Sequence, residues 1–192
     1  VLQFGQSRSS ATPANTTDLD HFAWWQHVTL NYRFAGPFNP RLGFLFDWAT
    51  GDDDPNDGTN ERFDNLFGAR VPDFGPTSIY GPFGQSNIVS PGVRFEIDPT
   101  DRMKLRLTHR LHWLDSDRDR LAFTGLRDPT GQSGSFAGQA VDFRVRYDVL
   151  RQNLRFEAGI SHLFADEFIN KAPTTVAPGD TTFYYFQTNV RL

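Results

Sequence analysis

The chain has no cysteine and only one methionine. Without thiols there is no disulfide staple, no thiolate-bound zinc or iron–sulfur centre and no redox pair. Long apolar runs are missing as well. No stretch approaches the roughly 18 consecutive apolar residues of a membrane helix, and the mean hydropathy is -0.49. Neither sign of charge is in large excess: a net charge of -4 gives no general attraction to nucleic acid. The five histidines, His21, His27, His109, His112 and His162, have neither His-x-His nor HExxH spacing, and there is no glycine-rich phosphate loop. Ser161 and His162 are neighbours in sequence, and neighbours in a strand point to opposite faces. No enzyme and no cofactor are expected. Nothing near Val1 has the basic and then apolar character of a signal peptide, so the sequence reads as a mature chain or a fragment.

What the sequence does have is 19 Phe, 16 Gly and a dominant period of two. Over residues 22–34 the even positions are Phe22, Trp24, Gln26, Val28, Leu30, Tyr32 and Phe34. The odd positions are Ala23, Trp25, His27, Thr29, Asn31 and Arg33. A helix would mix these two sets around its circumference, whereas a strand keeps them on separate faces. The same pattern recurs with Leu42, Phe44, Phe46 and Trp48; with Val89, Val93, Phe95 and Ile97; and with Met103, Leu105, Leu107, Leu111 and Trp113. It continues with Val141, Phe143, Val145, Tyr147 and Val149, then Leu154, Phe156, Ala158, Ile160 and Phe164, and finally Tyr184, Phe186, Val190 and Leu192. His109, His162 and Thr188 interrupt these apolar faces. Seven strands are therefore predicted, each of about 9–11 residues, enough to cross a bilayer at a tilt.

The connections alternate in length. Residues 35–40, 98–102 and 150–153 are tight turns with Gly, Pro, Asp or Asn, whereas 50–87, 114–139 and 165–181 are long, polar and rich in Gly and Pro. Short turns at one end and long loops at the other are the arrangement of outer-membrane barrels. If the long loops lie outside, residues 7–20 form another external loop and residues 1–6 the tail of an earlier outward-running strand. Eight strands result, an even number.

A soluble sandwich also alternates, with one face dry and the other wet. The distribution of aromatics favours the membrane. Trp24, Trp48, Trp113 and Tyr184 fall near strand ends, where bilayer interfaces collect an aromatic girdle, and a sandwich has no reason to place them there. A sheet that faces hydrocarbon must close on itself, because its backbone polar groups cannot be left unpaired there. The predicted fold is all-β: a transmembrane antiparallel β-barrel, residues 1–192 forming a single domain.

The 51–68 segment is more specific. It reads GDDDPNDGTNERFDNLFG after FDWAT, and is followed by DFGP (73–76), IYG (79–81), SNIVSPG (86–92) and PTDRMKL (99–105). Together these resemble the alginate-export family of outer-membrane β-barrels, most clearly over residues 46–113. The resemblance implies a channel or porin in the outer membrane of a Gram-negative bacterium, passing an anionic solute such as an alginate-like exopolysaccharide. It also implies a larger barrel of 16–18 strands, of which this chain is the C-terminal part. The implied partners are outer-membrane lipid, the anionic polysaccharide or a small anion, and other outer-membrane or periplasmic proteins; no nucleic acid is implied. Two readings stay open beside it, a structural or partner-binding barrel without transport and a soluble glycan-binding sandwich.

In the channel reading the candidates are the arginines on the polar faces: Arg94, Arg106, Arg110, Arg144, Arg146 and Arg155. A positive lining concentrates anions and offers carboxylates forked, charge-assisted hydrogen bonds. The alternative role for the same residues is in salt-bridge ladders that stiffen the wall. The acidic loop carries Asp52, Asp53, Asp54, Asp57, Glu61 and Asp64. Its oxygens, chiefly those of Asp52, Asp54 and Asp57, suit Ca²⁺, but the spacing is not that of an EF-hand, since Gly58 falls one place late and the closing Glu is missing. Phe63 and Phe67 should bury themselves by folding this loop over the barrel mouth.

Overall fold

Phe, Trp, Tyr and β-branched residues alternating with polar ones favour extended chain, and the computed structural model has that form. It describes residues 1–8, 18–54, 56–65, 74–77, 81–151 and 153–191. The strands are β1 (Leu2–Ser7), β2 (Leu19–Arg33), β3 (Arg41–Ala49), β4 (Thr59–Asn60), β5 (Ile88–Thr100), β6 (Met103–Trp113), β7 (Phe136–Leu150), β8 (Leu154–Ala165) and β9 (Thr181–Val190). One five-residue helix, α1 (Glu167–Lys171), sits in the last long loop. Eight strands form a single path, β1-β2-β3-β5-β6-β7-β8-β9, each antiparallel to its neighbours. The short β4 lies off this path, parallel to the start of β2. The seven predicted strands are all present, and the short strand expected over residues 1–6 is found as β1. Turns between β2 and β3, β5 and β6, and β7 and β8 are short, and the long loops gather at the other end. Phe38 and Asn39, with φ of 66° and 47°, turn the first of the short connections.

The exposed side of the sheet decides between lipid and a dry protein core. Phe44 is 44% exposed, Phe95 44%, Leu107 46%, Phe143 39% and Phe186 69%. These residues form an outward apolar surface and do not converge on an interior, which removes the sandwich reading. Aromatics mark both rims. Trp24 meets Trp48 edge-on at 4.4 Å, and Trp113 meets Phe136 at 4.8 Å, all near the long-loop end. Tyr32 meets Phe34 at 4.8 Å at the short-turn end.

The hydrophobic core lies elsewhere, at the long-loop end of the inner face. It is built from Phe63, Phe74, Phe83, Leu114, Leu121, Phe168 and Ile169, packed against Ala23, Ala49, Ile88 and Ala137. The loops fold inward, and small residues on the wall make room for them. Ala137 is the extra residue of a β-bulge, since His112 pairs with Gly138 and Trp113 with Phe136. A bulge at a barrel rim bends the strand and ends regular pairing there. Asp166 caps α1 by accepting the Glu167 N–H at 2.7 Å, which allows Phe168 and Ile169 to be driven into the core.

Candidate functional site

Because side chains alternate, register decides which polar residues meet on the inner face. One rung runs Arg33, Arg41, Glu96, Arg106, Arg144, Gly159, Tyr185. The next, towards the mouth, runs Asn31, Gly43, Arg94, Thr108, Asp142, Ser161, Phe183. The six candidate arginines all lie on this face, but their surroundings differ. Arg106 pairs with Glu96 through Nε. Arg146 Nη2 lies 2.8 Å from Glu157 Oε2, and Arg144 Nη1 lies 3.6 Å from Glu157 Oε1, which also accepts the Tyr185 hydroxyl at 3.0 Å. Arg155 Nε is 2.6 Å from Asp148 Oδ1.

Arg110, buried, pairs with the buried Asp47. The same carboxylate holds His27 Nδ1 at 2.7 Å, and Arg110 Nε donates to Ser90 Oγ at 3.0 Å. Two further carboxylates complete the pairing on this face. Arg41 forms a fork with Asp98, at 3.0 and 2.8 Å, and Asp47 anchors the Arg110 network. Five of the six arginines are therefore tied into wall ion pairs. Arg94 differs: among the described residues no carboxylate lies within ion-pair distance of it, and its buried Nε has no hydrogen-bond partner.

Arg94, Arg106, Arg110 and Arg144 line one recess of about 120 Å³, together with Thr108, Asp142, Tyr185 and Gln187. Gly75 and Pro76 of the first long loop roof it. At Gly75 the backbone φ is +95°, and a Cβ there would lie 3.0 Å from Asp142 Oδ2. Only glycine combines that conformation with so close an approach. The Arg146 and Arg155 pairs line a second, wider recess nearer the short turns, with Asp148, Glu157 and Asn189.

The acidic loop is organised by pairing within and between loops. Among the described residues no group of three metal-ligating side chains is arranged to hold an ion. Asp54 Oδ1 accepts the Asn56 N–H at 3.0 Å. Asp57 Oδ1 accepts both the N–H and the hydroxyl of Thr59, which lowers its pKa. Asp54 and Asp57 thus serve separate turns, Asp52 offers its backbone N–H and carbonyl to Asp119 and Ser116, and Asp53 is exposed beside them. Asp52 is buried, and burial raises its pKa; Glu61 is raised by its own burial and by Asp53, Asp57 and Asp52. Phe63 is buried and its ring packs 6.1 Å from Trp25; Phe67 lies outside the described residues.

Sequence reasoning missed the clasp between the first two long loops. Asp115 accepts the Trp48 indole N–H at 2.6 Å and the Gly51 N–H at 3.0 Å. Asp119, fully buried, pairs with Arg62 and accepts the Asp52 N–H. Asn87, with φ of 47°, donates to the carbonyls of Ser116 and Arg120 and accepts the Ser116 N–H. The DSDRD run is an acidic loop segment in sequence, and only the fold brings it against residues 48–62.

An all-antiparallel wall with a greasy outer surface, a charged inner face and loops packed into one mouth defines a transmembrane β-barrel of the outer-membrane type. A family model described as alginate export matches residues 1–181, and the chain belongs to the alginate-export family. A search of curated proteins finds no match for the chain.

Proposed function

We propose that this chain forms wall and mouth of an outer-membrane channel that passes an anionic solute, an alginate-like exopolysaccharide being the solute that the family description favours. The observation that carries the proposal is the recess where Arg94, Arg106, Arg110 and Arg144 converge on the inner face. Cations fixed in a cleft with low-dielectric protein walls raise the local anion concentration. Glu96, Asp47 and Glu157 neutralise three of them, so anions are held weakly enough to move on, as conduction requires. The first long loop, folded into the mouth through Phe63, Phe74 and Phe83, narrows the path and acts as its gate.

Eight strands closed on themselves leave an interior filled by side chains, whereas 16 or more leave a channel. Among the described residues β1 and β9 do not pair with each other, which supports a wall with edges open to further strands; the count of 16–18 is what the family resemblance implies. The test is conductance in planar bilayers. The protein should open ohmic channels that favour anions, and a polyuronate should block them. Absence of conductance would leave the structural or partner-binding reading; conductance without polyuronate block would leave a general anion porin.

A further inference from the structure

His112 stands on the inner face at the mouth end of β6 and is 1% exposed. Phe83 of the first long loop stacks on its ring at 3.7 Å, and the Phe74 ring of the same loop lies 6.4 Å away. On the wall side, Ser90 Oγ is 3.0 Å from His112 Nδ1 and 3.0 Å from Arg110 Nε. A guanidinium can only donate, so Ser90 accepts from Arg110 and gives its own proton to Nδ1. That arrangement assigns His112 the neutral tautomer with its proton on Nε2. Nε2 itself is buried and has no hydrogen-bond partner among the described residues.

The charged groups around this ring leave no place for a second cation. Arg110, two residues away on β6, shares Ser90 with it. β3 supplies Asp47, whose carboxylate is taken by Arg110 and by His27 of β2. β5 supplies Ser90, four residues from Arg94, and β7 faces the ring with Gly138, four residues from Asp142. In the second long loop Asp115 is engaged by Trp48 and Gly51, and Asp119 by Arg62. The first loop and α1 present phenyl and aliphatic side chains. A proton on His112 therefore adds a charge to a dry space beside Arg110, without a carboxylate of its own, and such a charge is relieved when the covering loop leaves.

We propose that His112 is an acid-sensitive catch for the first long loop: neutral, it holds Phe83 and the loop in the mouth; protonated, it lets the loop go. That release widens the path rests on the channel reading; the catch itself does not.

Docking that requires neutral His112 is full above the ordinary histidine value of about 6.5 and is lost as pH falls below it, by about thirtyfold between pH 7.5 and 5. Asp52 and Glu61 of the same loop, both raised by burial, oppose this on acidification, so the full chain is compared in vesicles with and without Asp52→Asn. Proteinase K cleavage of the first loop, normalised at each pH to the unfolded chain, should rise at least about tenfold from pH 7.5 to 5 in Asp52→Asn. Conductance should rise in step. His112→Phe keeps a ring under Phe83 and His112→Asn keeps an acceptor for Ser90; either should flatten the profile. Where neither assembles, His21→Gln and His27→Gln decide: the rise should survive in both, and its loss in either overturns the proposal. Flat cleavage in Asp52→Asn overturns it too, as does a rise that persists in His112→Phe or starts only below about pH 4.5, where carboxylates titrate. Cleavage that rises with conductance unchanged keeps the catch and removes the gating role. A protein without conductance at any pH removes the channel reading, while cleavage still decides the catch.

Discussion

The ring of Phe83 stacks on that of His112, with centroids 3.7 Å apart and planes 12° from parallel. Phe83 belongs to the first long loop and His112 to the wall, so this contact latches the loop inside the mouth. Phe74 adds a second point, with the Arg110 guanidinium carbon 5.0 Å from its ring centre. Stacked and cation–π contacts of this kind add to the burial of the rings themselves. Phe83→Ala should cost the loop's docking about 3–5 kcal/mol, the range for a buried Phe truncated to Ala. The strands, which Phe83 does not help to pair, should keep their heat-modifiable mobility on gels. The measurable result is larger and noisier conductance with faster proteolysis of the loop. Unchanged conductance with the loop cut faster would separate docking from constriction and remove the gating role.

Among the described residues Arg110 and Asp47 form the most deeply buried ion pair on the inner face, with side-chain exposures of 2% and 0%. Removing one partner leaves the other charge buried and unpaired, so Arg110→Ala should destabilise the barrel by about 3–5 kcal/mol. The double replacement Asp47→Leu with Arg110→Met should recover most of that loss, because a well-packed apolar pair removes both desolvation penalties. Urea unfolding in vesicles, followed by tryptophan fluorescence, reads both values. A double variant as unstable as Arg110→Ala would show that the remaining network of His27, Ser90 and His112 depends on the charges themselves.

These pairings show what the sequence carries and where it stops. Alternation is local, so Phe44, Phe95 and Leu107 could be placed on the outward face, and the seven strands with their short and long connections followed from it. Register is not local. Arg94 and Arg106 look alike in sequence, each in an alternating run, yet Arg106 faces Glu96 whereas Arg94 faces Gly43 and Thr108. The mouth was half legible. Phe63 demanded burial, but its partner Trp25 is 38 residues away in sequence, and the wall alanines that accept the loops are unremarkable without the fold. The wiring of the acidic loop was hidden for a related reason. Carboxylates clustered in sequence read first as a solvated loop and only secondarily as a Ca²⁺ site; which turns Asp54 and Asp57 hold, and that the N–H of Asp52 joins the clasp with Asp119, depends on the fold.

Two loop carboxylates should give the mouth opposite responses to pH. Burial raises the pKa of Asp52, opposed by Arg62 and Arg127 and reinforced by Asp57 and Asp53. A raised folded pKa means that the docked loop binds a proton more tightly than the released one. Its stability contribution is therefore full below the ordinary carboxylate value and lost as pH rises through the raised one. Asp52→Asn should make the first loop more resistant to protease at pH 7 and leave it unchanged at pH 3. Asp128 is the reverse case. Hydrogen bonds from Ser133 and Thr130 hold its pKa well below the carboxylate range. Its contribution is full above the ordinary value and lost only as pH falls towards the lowered one. Asp128→Asn should loosen the second long loop at pH 7, and the difference from wild type should shrink on acidification. Equal pH profiles for the two variants would contradict this assignment.

Leu107 on the outward face and Thr108 on the inward one are adjacent in sequence, and the barrel should judge the same substitution at each very differently. Leu107 is 46% exposed and flanked on its rung by Phe95 and Phe143. An arginine in a mid-strand position facing hydrocarbon costs about 2–4 kcal/mol at the bilayer midplane. Leu107→Arg should therefore lower the unfolding midpoint in vesicles by that amount and slow membrane insertion. Thr108→Arg places the same charge towards the recess, where Asp142 stands opposite it on the next strand with an oxygen free to accept. The site is buried and already lined by Arg94 and Arg110, so the change is not free, but with a carboxylate partner it should cost less than Leu107→Arg, which has none. Assembly of the two variants side by side in lipid tests the orientation of the whole sheet. If Leu107→Arg assembles as readily as Thr108→Arg, the outward face does not meet hydrocarbon and the barrel reading fails with it.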